Sequence, residues 1–160
     1  MGSYGLYTHL EDYIYELYTS IGIKNPADLD KQIIAKKLGV DIIYEEDKLF
    51  RFDNEISLIR NTERQEWMDF GHEIGHYLRH CGCQLNMHPL FIDLQEWQAN
   101  NFAYHFCVPT FMLDKLYNYK IFDIMQLVNV DYDFVYRRLE MYTNKMRTGG
   151  FFDEGYLTRA

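Results

Sequence analysis

Asp69-Phe70-Gly71-His72-Glu73-Ile74-Gly75-His76-Tyr77-Leu78-Arg79-His80 is the stretch on which the fold and chemistry of this chain turn. Two histidines stand four residues apart with a glutamate directly after the first, the HExxH spacing. The surrounding pattern predicts a helix. Thr62 with Gln65 resembles a capping box, and Trp67, Phe70, Ile74 and Leu78 form an apolar stripe at helical spacing. That helix is expected from about Glu63 to Cys81, with Gly82 as its stop. Helical positions four apart differ by about 40° around the axis and about 6 Å along it, so the imidazoles of His72 and His76 can close on one metal ion. Glu73 falls about 100° from His72 and about 60° from His76, near enough to act on a water beside the ion without ligating it.

A catalytic zinc site takes three protein ligands, so a third is required. Nineteen residues separate His76 from Glu96, which opens a second predicted helix able to fold back across the first. An HExxH followed by a distant Glu is the ligand order of the thermolysin-like gluzincins. Asn100, one turn after Glu96, shares its face and can accept the second N–H of a ligating imidazole, which sets the tautomer. Gly71 and Gly75 on the first helix, with Ala99 and Ala103 on the second, leave room for close approach.

His80 lies about 12 Å along the helix from His72, too far to share its ion, and is assigned to substrate binding or to the helix end. The metzincin pattern would place a third histidine where Gly82 stands. Cys81 and Cys83 with His80 lack the fourth ligand of a closed structural site, and Cys107 on an apolar helical side reads as core. Glu73 is the expected general base. For the donor to the tetrahedral oxyanion, His80, His105 and several tyrosines all remain open.

The rest of the chain is consistent with one globular protein. It has 160 residues, 48% hydrophobic and 17% aromatic, enough for a core and too few for a second full-sized domain. A net charge of −8 argues against broad capture of nucleic acid or of an anionic membrane. Neither a secretory signal nor an apolar run long enough to span a membrane is read, and Leu6 removes the myristoylation pattern at Gly2. Cys81, Cys83 and Cys107 make a poor disulfide framework, so a reducing, cytoplasmic setting is expected.

Leu10, Tyr13, Ile14, Leu17 and Tyr18 predict a first helix over about 7–21, and Leu29, Ile33, Ile34 and Leu38 a second that opens near Pro26 and stops at Gly39. Val40–Tyr44, Leu49–Phe52 and Glu55–Arg60, with a polar turn at Glu45–Asp47, predict a small antiparallel sheet of about three strands. The last of these, directly before the metal helix, is the strand expected to hold an extended peptide substrate. A helix carrying Leu94, Trp97, Phe102 and Phe106 must end before Pro109, and two or three short helices follow to about Met146. The expected fold class is α+β: a mainly helical zincin-like domain over 1–109, a C-terminal helical element over 110–146 packed on it, and a tail over 147–160.

Together, DFGHEIGHYLRH (Asp69 to His80) and EWQANNFAYHFCVP (Glu96 to Pro109) resemble the ImmA/IrrE family of metallopeptidases, which shows HExGHxxxH, then ExEANxFA and an apolar run ending in Pro. The likeness covers about Pro26 to Pro109. Gln98 stands where the family usually has a second Glu. The resemblance implies that His72, His76 and Glu96 are zinc ligands and Glu73 the catalytic base. It further implies that the substrate is a helix-turn-helix repressor, cleaved to relieve repression in prophages, integrative elements or stress responses. The alternative expectation is a non-cleaving zinc-binding module that sequesters or regulates such a repressor. Ile121 to Tyr142 resembles the helix-turn-helix-like element that follows the peptidase motifs. Arg137-Arg138 is its only adjacent basic pair, set against Asp123, Asp131, Asp133 and Glu140, so packing or repressor docking is expected there and direct DNA binding is not.

Overall fold

The structure is a computed structural model, which describes residues 7–44, 53–79 and 88–148. Its elements in chain order are α1 (His9–Ser20), a 3-10 turn (Pro26–Asp28), α2 (Lys31–Leu38), β1 (Asp41–Ile43), β2 (Glu55–Ser57), α3 (Glu63–Arg79), α4 (Pro89–Cys107), α5 (Thr110–Leu113), α6 (Ile121–Val128) and α7 (Tyr132–Thr148). The class is α+β, mainly helical. Among the described residues no helix is long and apolar enough to cross a membrane. The chain divides into two compact units, Asp30–Cys107 and, built from both chain ends, Met1–Leu29 with Val108–Ala160.

The Asp30–Cys107 unit holds α2, the sheet, α3 and α4. Pro26 opens only the 3-10 turn. The helix starts later, at Lys31, because the Asp30 carboxylate accepts the Ile33 N–H at 2.9 Å and caps it there. Gly39 ends it at φ 73°, a left-handed conformation in which a side chain would be strained.

The sheet differs from expectation. Among the described residues it has two strands, paired in parallel with Asp41 opposite Glu55, Ile42 opposite Ile56 and Ile43 opposite Ser57. An antiparallel hairpin needs only a tight turn, whereas parallel strands need a crossover of about a dozen residues. The 11 residues between Ile43 and Glu55 come close to that length. The strand expected at Leu49–Phe52 and the turn at Glu45–Asp47 lie outside the described residues, and of Glu55–Arg60 only the first three residues are strand.

A buried polar cluster fixes the start of α3. The Lys31 ammonium pairs with Glu63 and, at 3.2 Å, with Glu66, which also accepts the Tyr44 hydroxyl at 2.8 Å and the Asn61 N–H at 2.9 Å. Burial alone would raise the Glu66 carboxyl; the hydrogen bonds from Asn61, Tyr44 and Lys31 outweigh it and hold the group below the usual carboxylate range. At the helix start, Thr62 accepts the Gln65 N–H at 3.2 Å. The reciprocal half of the capping box is replaced: the Gln65 amide donates to Asp69 at 2.8 Å, and Asn61 accepts the Thr62 N–H.

α3 and α4 form the body of this unit and run antiparallel. Going up α3, the partners go down α4: Gly71 lies against Ala103 and Cys107, Gly75 against Phe102. A Cβ on Gly75 would meet Phe102 Cδ1 at 2.9 Å, and one on Gly71 would meet Cys107 Sγ at 2.6 Å, so the approach requires both glycines. Trp67, Phe70, Ile74, Phe102 and Phe106 fill the core around this contact, with Phe102 and Phe106 stacked at 5.5 Å between ring centroids. Cys107 is a free, buried thiol, pushed well above its ordinary pKa first by burial and then by the Asp69 charge. Leu94 and Trp97, expected to share the apolar role of Phe102 and Phe106, are instead exposed.

In the other unit, Thr8 and Glu11 form a capping box on α1, and Glu11 sits at the centre of a buried network. The Thr110 hydroxyl donates to Glu11 at 2.6 Å, and the Lys145 ammonium reaches both its oxygens, at 3.0 and 2.9 Å. Arg138, with no exposed surface, donates to Val108 O at 3.0 Å and to Thr110 Oγ1 at 2.7 Å. Burial pulls its guanidinium down to about 10, against the opposing pull of Glu11, Tyr142 and Asp114, so it stays charged at neutral pH. The adjacent Arg137-Arg138 pair is thus split: Arg138 is structural, and exposed Arg137 pairs with Glu140 at 3.1 Å. Ile121 and Ile124 on α6 and Val135 and Leu139 on α7 supply the apolar packing. The helices of 110–148 number three, and α7 is longer than the short helices expected, with 17 residues.

Candidate metal centre

α3 brings His72 and His76 to one face, and the antiparallel α4 sets Glu96 opposite His76 and Asn100 opposite His72. The three ligand atoms of His72, His76 and Glu96 lie within 4.8 Å of one another. In detail, the two Nε2 atoms are 3.1 Å apart, Glu96 Oε2 is 3.2 Å from His72 Nε2, and Glu96 Oε1 is 3.0 Å from His76 Nε2. The imidazole planes cross at 79°, so both rings aim inward without stacking.

Asn100 Oδ1 lies 2.8 Å from His72 Nδ1. When that oxygen accepts the Nδ1 proton, Nε2 keeps its lone pair and points it at Glu96 and His76. Two imidazole nitrogens and a carboxylate then aim electron pairs at one point, an arrangement that a cation relieves. A tetrahedral zinc with bonds of about 2.0–2.1 Å separates its ligand atoms by about 3.3 Å, close to the edges found here, so these residues fit such an ion. The side chains of His72, His76 and Glu96 are 23%, 19% and 42% exposed, so the centre opens to solvent on one side while α3 and α4 wall the other.

Glu73 follows His72 on α3, is half-buried, and is not a member of the ligand cluster. His105 is not brought to the centre. Nine residues beyond Glu96, it lies about half a turn away around α4 and about 13 Å along it, and its Nδ1 bonds Asn101 O at 2.9 Å. His80, Cys81, Gly82 and Cys83 lie outside the described residues. An exposed aromatic residue follows a member of this set on each helix, Tyr77 after His76 and Trp97 after Glu96, each about 100° around its helix from that residue. Reading by periodicity gives Tyr77 no role and groups Trp97 with the core.

Comparison with known proteins agrees with this geometry. The Peptidase_M78 family model, described as the IrrE N-terminal-like domain, matches residues 35–140 and so takes in α3, α4 and His72, His76 and Glu96. Phage-like element PBSX protein XkdA of Bacillus subtilis strain 168 is 37% identical over 155 residues, covering 91% of this chain and 77% of that one. The protein named Uncharacterized protein YqaB of the same strain is 32% identical over 149 residues, 87% of each chain. No solved structure matches. With a metallopeptidase-type ligand set on two antiparallel helices and a family match across most of its length, the chain belongs to the ImmA/IrrE family, the family of the IrrE N-terminal-like domain.

Proposed function

We propose that the chain is a zinc-dependent endopeptidase that cleaves a helix-turn-helix transcriptional repressor, acting in the cytoplasm on a prophage or integrative-element regulator. The observation that carries the peptidase reading is the convergence of His72, His76 and Glu96 within 4.8 Å, with Asn100 fixing one imidazole from behind. The phage-like-element relative supports the prophage setting, and the repressor substrate follows from what the family resemblance implies. Two His and one carboxylate suit zinc. Bound there, zinc would supply Lewis acidity toward the scissile carbonyl and the attacking water.

The chain's own residues do the rest. Glu73 takes the proton of the attacking water and returns it to the leaving amine, which lets the C–N bond break as a neutral amine departs. Asn100 holds the His72 tautomer through both steps. An extended peptide substrate is assigned to β2, the strand directly before α3, where main-chain hydrogen bonds would hold it. The exposed charges Asp123, Asp131 and Asp133, with Arg138 withdrawn into the core, argue against a DNA-binding role for α6 and α7.

The test mixes the purified protein with the helix-turn-helix regulator encoded beside it, with zinc and with a chelator, in parallel with Glu73→Gln. Zinc-dependent cutting at a discrete site that Glu73→Gln abolishes is expected. Equal cutting by chelated protein or by Glu73→Gln sinks the mechanism, and loss of repression with no cut product supports sequestration instead.

A further inference from the structure

α4 has two apolar faces. One is buried, with Ala99, Phe102, Ala103, Phe106 and Cys107. The other carries Leu90, Phe91, Leu94 and Trp97, exposed to 72%, 63%, 48% and 64%, and Phe91 meets the His88 ring edge-on. Two aromatic and two leucine side chains clustered in solvent are more than the scattered exposed apolar residues a surface normally carries.

This stripe is continuous with the metal centre. Measured around the helix axis from Glu96, Asp93 falls at about 60°, Trp97 at about 100°, Leu90 at about 120°, Leu94 at about 160° and Phe91 at about 220°, an arc that holds none of the buried positions Ala99, Phe102, Ala103, Phe106 and Cys107. Leu90, Leu94 and Trp97 repeat at intervals of four and three, the ridge spacing that receives another helix.

Charge selects the occupant. From Pro89 to Cys107 the helix carries no Lys or Arg, and its exposed carboxylate outside the ligand cluster, Asp93, stands beside the stripe. An anionic lipid surface would meet that acid. A second copy seated on the same stripe would bring the two Asp93 carboxylates together. A segment with apolar residues at helical spacing and lysine or arginine at its flanks matches both features.

We propose that the Leu90–Leu94–Trp97 stripe is a docking surface for an amphipathic, basic-flanked helix of the polypeptide substrate, holding the substrate beside the metal centre. That the occupant is a substrate rests on the peptidase reading; that the stripe binds such a helix does not.

Tryptophan emission separates the two. Of the two tryptophans, Trp67 is 3% and Trp97 64% exposed, so a polarity change at the stripe is reported by Trp97. The probe is a synthetic helical peptide with leucines at i, i+4 and i+7 and flanking lysines, titrated into the full chain and into Glu73→Gln. Controls are the same peptide with glutamates for lysines, and phosphatidylcholine vesicles containing phosphatidylglycerol. A saturable blue shift with the lysine peptide alone is expected, equal in Glu73→Gln, absent in Trp97→Phe, and requiring about tenfold more peptide in Leu94→Asp or Leu90→Ser.

No shift, an equal shift with the glutamate peptide, a stripe-dependent response to vesicles, or self-association that Leu94→Asp abolishes overturns the proposal. With the regulator as substrate, Leu94→Asp is expected to raise KM and leave kcat unchanged. Cleavage with an unchanged KM refutes docking and leaves the peptidase standing. Peptide binding at the stripe with no cleavage of any regulator removes the peptidase reading and leaves the docking surface.

Discussion

Replacing Asn100 with Ala takes away the oxygen 2.8 Å from His72 Nδ1 and leaves the three ligands in place. Without that acceptor, the proton on the imidazole is no longer held on Nδ1, and the tautomer that puts it on Nε2 cannot ligate. Recovering the competent tautomer and orientation then costs binding free energy at each encounter with the ion. Partners of this kind are typically worth 10- to 100-fold in metal affinity, or about 1.4–2.7 kcal/mol. Asn100 is exposed, so the metal-free fold should change by less than about 0.5 kcal/mol. The assay is a zinc titration against a competing chromophoric chelator, with denaturation of the metal-free proteins alongside. Asn100→Asp, which keeps an acceptor at the same reach, should stay within a few-fold of wild type. If Asn100→Ala binds zinc as tightly as wild type, or Asn100→Asp is as weak as Asn100→Ala, orientation of His72 by an acceptor is wrong.

Gly75→Ala gains about 1 kcal/mol in helix propensity. It also places a Cβ 2.9 Å from Phe102, which is 2% exposed and cannot swing aside. Overpacking of about 1–3 kcal/mol should win, so its urea midpoint should fall; a rise would refute the close approach of α3 and α4. Glu66 and Glu11 are both held below the usual carboxylate value of 4.5. Groups depressed in the folded state contribute fully above the unfolded value and lose that contribution as pH falls through the folded one. Denaturation midpoints should therefore be level above about pH 5.5 and fall below about pH 4.5, and Glu66→Gln should lose less over that span; an equal loss counts against the Lys31–Glu66 cluster as its source. Cys107, buried and raised, should be alkylated only in the unfolded chain, as read by peptide mass spectrometry, and labelling of native protein would contradict its burial.

The clustering of His72, His76 and Glu96 was legible because its geometry is local. His72 and His76 are related by helix periodicity alone, and Asn100 is related to Glu96 in the same way, so only the meeting of two helices had to be inferred. Gly71, Gly75, Ala99 and Ala103 signalled that meeting by their size. The sheet was not legible, since Val40–Tyr44 and Glu55–Arg60 read as strands whatever their direction, and pairing sense depends on the path between them. Pro26 suggested a helix start because proline suits a first turn, but the Asp30 carboxylate sets the start by capping. Leu94 and Trp97 were read with Phe102 and Phe106 because periodicity detects a stripe without saying which of two stripes the fold covers. Arg138 looked like surface charge until Thr110 and Val108 O were found to receive it, a pairing that spans about thirty residues and leaves no local trace.

The network around Glu11 constrains how the chain is made. Glu11 and its ammonium partner, Lys145, stand 134 positions apart, with Glu11 made first. Until α7 emerges, α1 has a carboxylate meant for burial and nothing to neutralise it, whereas every ligand of the metal centre has been translated by residue 96. The order of synthesis thus lets the ligand-bearing helices pair first and completes the unit joined from the two chain ends last. A stop codon between Glu96 and Lys145 would strand Glu11 and leave α1 as a tethered amphipathic segment, open to proteolysis while His72, His76 and Glu96 are all still encoded.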